Sequence, residues 1–139
     1  MNDQIINTAS ILLVEDHAIF AQALLRLLHE KGGMNVVAVA TSAEEALDQI
    51  PDLEVDLVLV DVSLPKRSGI SLVLILHQRY PDLPCIMLSG HLSPHYARRS
   101  LEAGARGYLV KDHADEILEG IRRVLDGEIY VSEQVTGNL

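Results

Sequence analysis

Several residue types are scarce in this chain, and their scarcity excludes whole classes of protein. A single cysteine, Cys85, rules out an intramolecular disulfide and makes a thiolate zinc cage implausible. No apolar run approaches the roughly 18 residues that a membrane-spanning helix needs. Residues 1–10 carry one acid and no base, so they do not form a secretory signal. We therefore expect a cytoplasmic protein, and its 139 residues predict one domain.

Basic residues are also in short supply, and the imbalance is uneven along the chain. The 11 basic and 20 acidic side chains give a net charge of −9. Residues 1–60 hold 2 of the bases and 10 of the acids, whereas residues 61–139 hold 9 and 10. Because a chain with this negative charge repels phosphate backbones, we do not expect this segment to bind nucleic acid. The acidic half suits a cation or a basic partner, although acids that merely maintain solubility would give the same balance.

Short apolar runs alternate with segments of helical periodicity. The runs are rich in Val, Ile and Leu and lack polar alternation, which predicts buried strands at residues 11–14, 36–40, 57–60, 86–88 and 108–110. Between them, apolar residues recur on one helical face, as at Ala21, Leu24 and Leu28. This alternation predicts an α/β domain with a flavodoxin-like fold: a five-stranded parallel sheet of order 2-1-3-4-5 and five helices on both faces.

Helix boundaries are marked by capping residues. Ser42 and Glu45 form a capping box, and Ser93-Pro94 provides an N-cap followed by a first-turn proline. Gly104 should end the helix that begins there, and Gly32 and Gly127 stand where left-handed C-caps are expected. These signals mark a boundary of four of the five predicted helices, each of which lies between two predicted strands or after the last one.

Polar residues follow four of the predicted strands. The first strand leads into Glu15 and Asp16, the third into Asp61, the fourth into Ser89 and the fifth into Lys111. The carboxyl ends of parallel strands share one edge of the sheet, which is where such folds bind ligands. Three carboxylates, a hydroxyl and an ammonium are therefore expected at one place.

This combination predicts a particular chemistry. Carboxylates held close together repel one another unless a cation joins them, and Mg²⁺ prefers carboxylate, water and phosphate oxygens. A lysine there can pair with a phosphoryl oxygen and a serine can donate a hydrogen bond to it. An aspartate beside a bound metal can act as a nucleophile and carry an aspartyl phosphate. The residues thus indicate a magnesium-assisted phosphoacceptor site.

The sequence also resembles the receiver domain of bacterial two-component response regulators, over roughly residues 10–131. The likeness rests on four motifs, at residues 12–17 (LLVEDH), 61–65 (DVSLP, with Gly69 eight residues after the Asp), 87–90 (MLSG) and 107–112 (GYLVKD). The last motif, with residues 127–132 (GEIYVS), looks most like the NarL/LuxR-type subgroup. The resemblance implies the CheY-like form of the predicted fold and a signalling domain that assists its own phosphorylation and dephosphorylation, not an enzyme with a separate substrate.

The resemblance also implies roles for individual residues. Asp61 matches the phosphoacceptor that takes a phosphoryl group from the histidine of a sensor kinase. Glu15 and Asp16 match the acidic pair that binds Mg²⁺, with Asp61 and the backbone carbonyl of Ser63 completing the protein ligands. Lys111 matches the lysine that pairs with the phosphoryl group.

Two further positions match the switch of the family. Ser89 matches the hydroxyl that turns toward the phosphoryl oxygen, and Tyr108 matches the aromatic residue that moves inward with it. Phosphorylation would then repack the surface of the fourth helix, fifth strand and fifth helix, and promote a homodimer. Glu15 stands where Asp is frequent, Ser89 where Thr is frequent and Asp112 where proline is frequent, but every required functional group is retained.

The sequence argues against two other functions and leaves two alternatives open. A haloacid dehalogenase-type phosphohydrolase needs a second Asp two residues after the nucleophile, where this chain has Ser63. A dinucleotide site fails because no Gly-x-Gly-x-x-Gly follows the first strand. A pseudo-receiver that is never phosphorylated, and a stand-alone receiver, remain alternatives. We expect residues 1–131 to be the receiver and residues 132–139 to begin a linker to an absent helix-turn-helix domain that would bind DNA.

Overall fold

The structure, a computed structural model, describes residues 8–136. Its strands are β1 (Ser10–Val14), β2 (Asn35–Ala40), β3 (Leu57–Asp61), β4 (Cys85–Ser89), β5 (Gly107–Val110) and β6 (Tyr130–Val131). Its α-helices are α1 (Ala18–Arg26), α2 (Ala43–Gln49), α3 (Gly69–Arg79), α4 (Pro94–Ala103), α5 (Ala114–Leu125) and α6 (Glu133–Thr136). Residues 1–7 of the predicted domain and 137–139 of the predicted linker lie outside the described residues.

All described strand pairs are parallel, and the sheet order is β2-β1-β3-β4-β5-β6. The predicted order 2-1-3-4-5 is confirmed, with one strand more than expected. β6 extends the sheet beyond β5 by pairing Tyr130 with Gly107 and Val131 with Tyr108. Its two residues are too few to produce an apolar run, which is why the pattern of the sequence did not reveal it.

The central strands are buried on both faces. Alternate residues of β1 and β3 point to opposite sides, so Leu12 and Val58 pack under α2, α3 and α4, whereas Ile11 and Leu57 pack under α1 and α5. Two apolar cores result, one on each face, and they explain the continuous apolar runs of the sequence. The strand ends are thereby fixed at one edge of the sheet.

Most predicted caps are confirmed. The Ser42 hydroxyl accepts from the Glu45 N–H, the Ser93 hydroxyl accepts from the Tyr96 N–H, and Gly104 closes α4 with φ 115°. The left-handed cap predicted at Gly32 is wrong. A π-helical turn at Leu27–Lys31 shifts the end of the helix by one residue, so that Gly32 has φ −90° and Gly33 has φ 63°.

The C-terminal part of the described chain packs onto the domain. Val135 of α6 is fully buried in the same core as Tyr108, and the Ser132 N–H donates to the Tyr108 carbonyl at 2.8 Å. Residues 133–136, within the stretch predicted to begin a linker, are therefore part of the packed structure. Among the described residues, none of the helices combines the length and apolar character that crossing a membrane requires.

Candidate phosphoacceptor and metal site

Four strand ends and the loops that follow them bring the expected polar residues together. The nearest carboxylate oxygens of Glu15, Asp16 and Asp61, with a ring nitrogen of His17, lie within 4.8 Å of one another. The side chain of Asp16 is 35% exposed, whereas those of Glu15 and Asp61 are almost completely buried. The cluster thus has two acids inside the edge of the sheet and one at its mouth.

Lys111 bridges the two buried acids. Its Nζ lies 2.8 Å from Oε1 of Glu15 and 3.2 Å from Oδ2 of Asp61. The contact with Glu15 is an ion pair without good hydrogen-bond geometry. Oε1 of Glu15, which is buried, therefore receives no directed hydrogen bond from the described residues. The contact with Asp61 is a hydrogen bond. One ammonium therefore neutralises part of the charge of two carboxylates.

The two buried carboxyls differ in acidity. Burial raises the pKa of Asp61 to about 6, and the charge of Glu15 adds to the rise. The hydrogen bond from the Ser63 N–H to Oδ1 of Asp61, at 3.1 Å, offsets part of this effect. For Glu15, burial also opposes ionisation, but contact with Lys111 and the His17 N–H hold its pKa below the ordinary value. Glu15 is the more firmly ionised of the pair.

The atoms that these residues offer as ligands match the preferences of a divalent cation. Three carboxylates converge, and Oε1 of Glu15 is a buried oxygen without a directed hydrogen bond. Hard oxygen donors of this kind suit Mg²⁺ or Ca²⁺ better than a softer metal. The acidic cluster is therefore able to hold a metal ion.

The loop after β3 depends on one glycine. The N–H of Gly69 donates to the Val62 carbonyl at 2.9 Å, which brings the start of α3 against the end of β3. A Cβ at position 69 would lie 2.0 Å from the carbonyl oxygen of Asp61 and 3.0 Å from Cε of Met87. Only glycine allows this approach. The spacing of eight residues between Asp61 and Gly69 thus has a steric cause.

Ser89 and Tyr108 lie on the neighbouring strands. Ser89 ends β4 and is buried, and its hydroxyl accepts from the His91 N–H at 3.0 Å. Tyr108 is fully buried, and its hydroxyl donates to the His91 carbonyl at 3.2 Å. Burial raises the pKa of Tyr108, an effect that hydrogen bonding with Ser89 partly offsets. The two candidate switch residues are thereby linked through the loop that follows β4.

Sequence reasoning missed two contacts. The ring of Phe20 lies beside the ammonium of Lys111, with 4.7 Å between Nζ and the ring centroid. Glu116, on α5, accepts hydrogen bonds from the β6–α6 segment, which the sequence did not reveal as structured. Phe20 had one available signal, since it lies a single helical turn beyond the acidic pair. Glu116 had none, because its partners lie in a strand of two residues and directly after it.

Comparison with known proteins gives a consistent result. The family model of the response regulator receiver domain matches residues 11–122. The transcriptional regulatory protein DegU of Brevibacillus brevis is 34% identical over 141 aligned positions, which cover 100% of this chain and 60% of that protein. The transcriptional activator protein ExaE of Pseudomonas putida is 39% identical over 132 positions, covering 93% and 61%. This chain spans about three fifths of the length of these curated relatives.

A solved structure agrees at the level of the fold and the subgroup. The crystal structure of a two-component response regulator of the LuxR family from Aurantimonas sp. SI85-9A1 superposes with a TM-score of 0.90 and 30% identity. The superposition covers 94% of each chain. The likeness therefore extends over nearly the whole length of both chains.

Proposed function

Because this chain belongs to the response regulator receiver domain family, in its NarL/LuxR-type branch, we propose that Asp61 accepts a phosphoryl group from the phosphohistidine of a sensor kinase. The observation that carries the proposal is the convergence of three carboxylates with Lys111 held between Glu15 and Asp61. This arrangement supplies a nucleophile, a metal site and a cation for the transferred group.

The metal in this proposal is Mg²⁺. The carboxylates of Glu15, Asp16 and Asp61, with the backbone carbonyl of Ser63, would hold it. When bound, it would neutralise charge on the phosphoryl oxygens and on the acidic cluster. Glu15 replaces the more frequent Asp with a longer side chain, and its firm ionisation in the absence of metal is consistent with a role as a ligand.

The chemical step is a displacement at phosphorus. An Oδ of Asp61 attacks the phosphoryl group, the P–N bond to the kinase histidine breaks, and an acyl phosphate forms on Asp61. The Ser63 N–H holds Oδ1 and fixes the orientation of the carboxylate. The ammonium of Lys111 donates to Oδ2 of Asp61 in this structure. It would instead donate to an oxygen of the incoming phosphoryl group once that group is bound. Hydrolysis of the acyl phosphate by water would reset the site.

The switch would run from Ser89 to Tyr108. The Ser89 hydroxyl would turn from the His91 N–H toward a phosphoryl oxygen. Tyr108 would respond because its own hydroxyl is bonded to the same residue, His91. The surface that changes would include α4, β5 and α5, and also β6 and α6, since β6 pairs with β5 and α6 contacts α4.

A phosphoacceptor with a switchable surface needs a phosphoryl donor and a partner that recognises the switched state. They are a sensor histidine kinase and, after phosphorylation, a second copy of this chain. The relatives named above are transcriptional regulators longer than this chain, and we propose that a DNA-binding output domain is the target of the switch. This chain would not itself contact DNA, because its net charge is −9.

The proposed role of Asp61 is tested by measuring the intact mass of the protein after incubation with acetyl phosphate and Mg²⁺. We expect a gain of one phosphoryl group that disappears when Mg²⁺ is chelated and in Asp61→Asn. The exposed Asp112→Asn, one residue beyond Lys111, is the matched control and should gain the group normally. Absence of any gain in the wild type, with acetyl phosphate and with a kinase, would favour the pseudo-receiver.

The proposed self-association is tested by light scattering with and without beryllium fluoride as a phosphoryl mimic. A shift toward twice the monomer mass with the mimic supports a phosphorylation-dependent dimer. A monomer mass under both conditions contradicts it.

A further inference from the structure

The chain contains one phenylalanine, and it lies against the lysine of the phosphoacceptor site. Phe20 is on α1, partly buried against the core that α1 and α5 cover. Its ring centroid is 4.7 Å from Nζ of Lys111, whose side chain is only 18% exposed. An ammonium at this distance from an aromatic face is within the range of a cation–π interaction.

We propose that Phe20 is a positioning residue for Lys111, and that the electron-rich face of its ring holds the ammonium at the phosphoacceptor site. The inference rests on the proposed function. Its basis is the set of contacts that surround Nζ: Glu15 at 2.8 Å, Asp61 at 3.2 Å and the ring. Two of these three contacts are with carboxylates, and the third is with an uncharged group.

The difference between these contacts matters once the site is loaded. Glu15 and Asp61 are the same carboxylates that would hold a divalent cation, so their attraction for Lys111 weakens when that cation binds. The ring has no such competing role and would still attract the ammonium. A carboxylate in place of the ring would compete with the phosphoryl group for Lys111. An aliphatic side chain would exclude water without attracting the charge.

The uniqueness of Phe20 permits a direct test of the contact. Replacing phenylalanine metabolically with 4-fluorophenylalanine labels position 20 alone, so the protein gives one ¹⁹F resonance. In the metal-free protein we expect this resonance to move in Lys111→Met, which removes the ammonium but retains an unbranched side chain. The control is Ile19→Leu, at a neighbouring residue that is 86% exposed, and it should leave the resonance in place. An unchanged resonance in Lys111→Met would overturn the contact.

The role of the contact is tested by the rate of phosphorylation from acetyl phosphate. Mono-, di- and trifluorinated rings keep nearly the same shape while their faces attract cations progressively less. We expect the rate to fall stepwise along this series, by about three- to tenfold in total. Phe20→Leu should show a similar loss and Phe20→Tyr should retain the rate. In Lys111→Met the fluorinated series should be flat, because the cation is absent.

The outcomes separate this inference from the function on which it rests. If the wild type gains no phosphoryl group, the proposed function fails. If the wild type is phosphorylated at the same rate with every fluorinated ring, Phe20 acts only by its shape and the inference is overturned. A stepwise loss in the wild type, together with a flat series in Lys111→Met, supports it.

Discussion

At the scale of single residues, the carboxyl of Asp61 combines nearly complete burial with a raised pKa. Burial raises its pKa to about 6, above the ordinary pKa of 3.8 that an aspartate has in an unfolded chain. The folded state therefore binds this proton more tightly than the unfolded state does. Stability from this group is fully present below pH 3.8 and declines as pH rises toward 6. The Asp61 carboxylate is thus ionised at neutral pH at the expense of folding free energy.

Asp61→Asn should consequently stabilise the metal-free protein at pH 7.5, by about 1–3 kcal/mol. Asparagine carries no charge, so it avoids the repulsion from Glu15 and the cost of burying a second carboxylate. The measurement is urea unfolding in the presence of a chelator, at pH 7.5 and at pH 4. The gain should shrink at the lower pH, where Asp61 is protonated in the folded wild type. A destabilised Asp61→Asn at pH 7.5 would contradict the expectation.

Gly69 is required for steric reasons, because its backbone lies directly against that of Asp61. In Gly69→Ala the new Cβ would lie 2.0 Å from the Asp61 carbonyl oxygen, and neither backbone can yield without moving the loop after β3. We expect a loss of about 2–4 kcal/mol in the free energy of unfolding. Gly90→Ala is the matched control, because no atom lies within 4 Å of a Cβ there and its φ is not positive. Equal stability of the two variants by urea unfolding would refute this explanation.

At the scale of elements, Glu116 joins α5 to the β6–α6 segment. Its carboxylate accepts from the Tyr130 hydroxyl at 3.0 Å, the Ser132 hydroxyl at 2.7 Å and the Glu133 N–H at 3.0 Å. Burial opposes its ionisation, but these three donors lower the pKa of Glu116. The segment is therefore attached by hydrogen bonds as well as by the burial of Val135.

Glu116→Gln should loosen this segment without unfolding the sheet, since an amide accepts at one oxygen only. We expect hydrogen exchange at the amides of Ser132 and Val135, which donate to the carbonyls of Tyr108 and Ser132, to accelerate about tenfold, which corresponds to about 1.4 kcal/mol. Glu119→Gln, on the exposed side of the same helix, should leave these amides unchanged. Unaltered exchange in Glu116→Gln would mean that packing and the backbone hydrogen bonds to β5 hold β6 and α6 without Glu116.

The elements differ in how far their sequence determines them. β3 and β4 are buried on both faces, so their apolar runs were sufficient to predict them, and α4 was marked at both ends by Ser93-Pro94 and Gly104. β6 and α6 were not predicted, because their stability comes from contacts with β5, α4 and Glu116 that are distant in sequence. Local patterns indicate elements that bury a full face, and they fail for short elements held by their neighbours.

The candidate site was predictable for a related reason. Parallel strands align their carboxyl ends, so the residues that follow each strand predicted the cluster of Glu15, Asp16, Asp61 and Lys111. Phe20 was not predicted, because its position depends on how α1 packs against the end of β5. That packing is a tertiary property, and the spacing of one helical turn between Asp16 and Phe20 does not by itself reveal a contact with Lys111.

At the scale of the whole molecule, the acidic cluster should couple metal binding to stability. Folding gathers three carboxylates within 4.8 Å, whereas the unfolded chain holds them apart, so a divalent cation binds mainly to the folded state. We expect Mg²⁺ at ten times its Kd to raise the free energy of unfolding by about 1.4 kcal/mol. The measurement is urea unfolding at fixed ionic strength, with NaCl replacing Mg²⁺ in the reference sample. This comparison removes general screening of the net charge of −9.

Two variants decide whether the stabilisation arises at the site. Asp61→Asn should lose most of it, because one of the three carboxylates becomes a neutral amide. Glu44→Gln removes an exposed acid of α2 that pairs with Arg67, and should keep the full effect. If Mg²⁺ stabilises both variants equally, the ion acts on the acidic surface as a whole. If it stabilises the wild type and Glu44→Gln alone, the cluster at the edge of the sheet is the binding site, because the two substitutions change the net charge by the same amount.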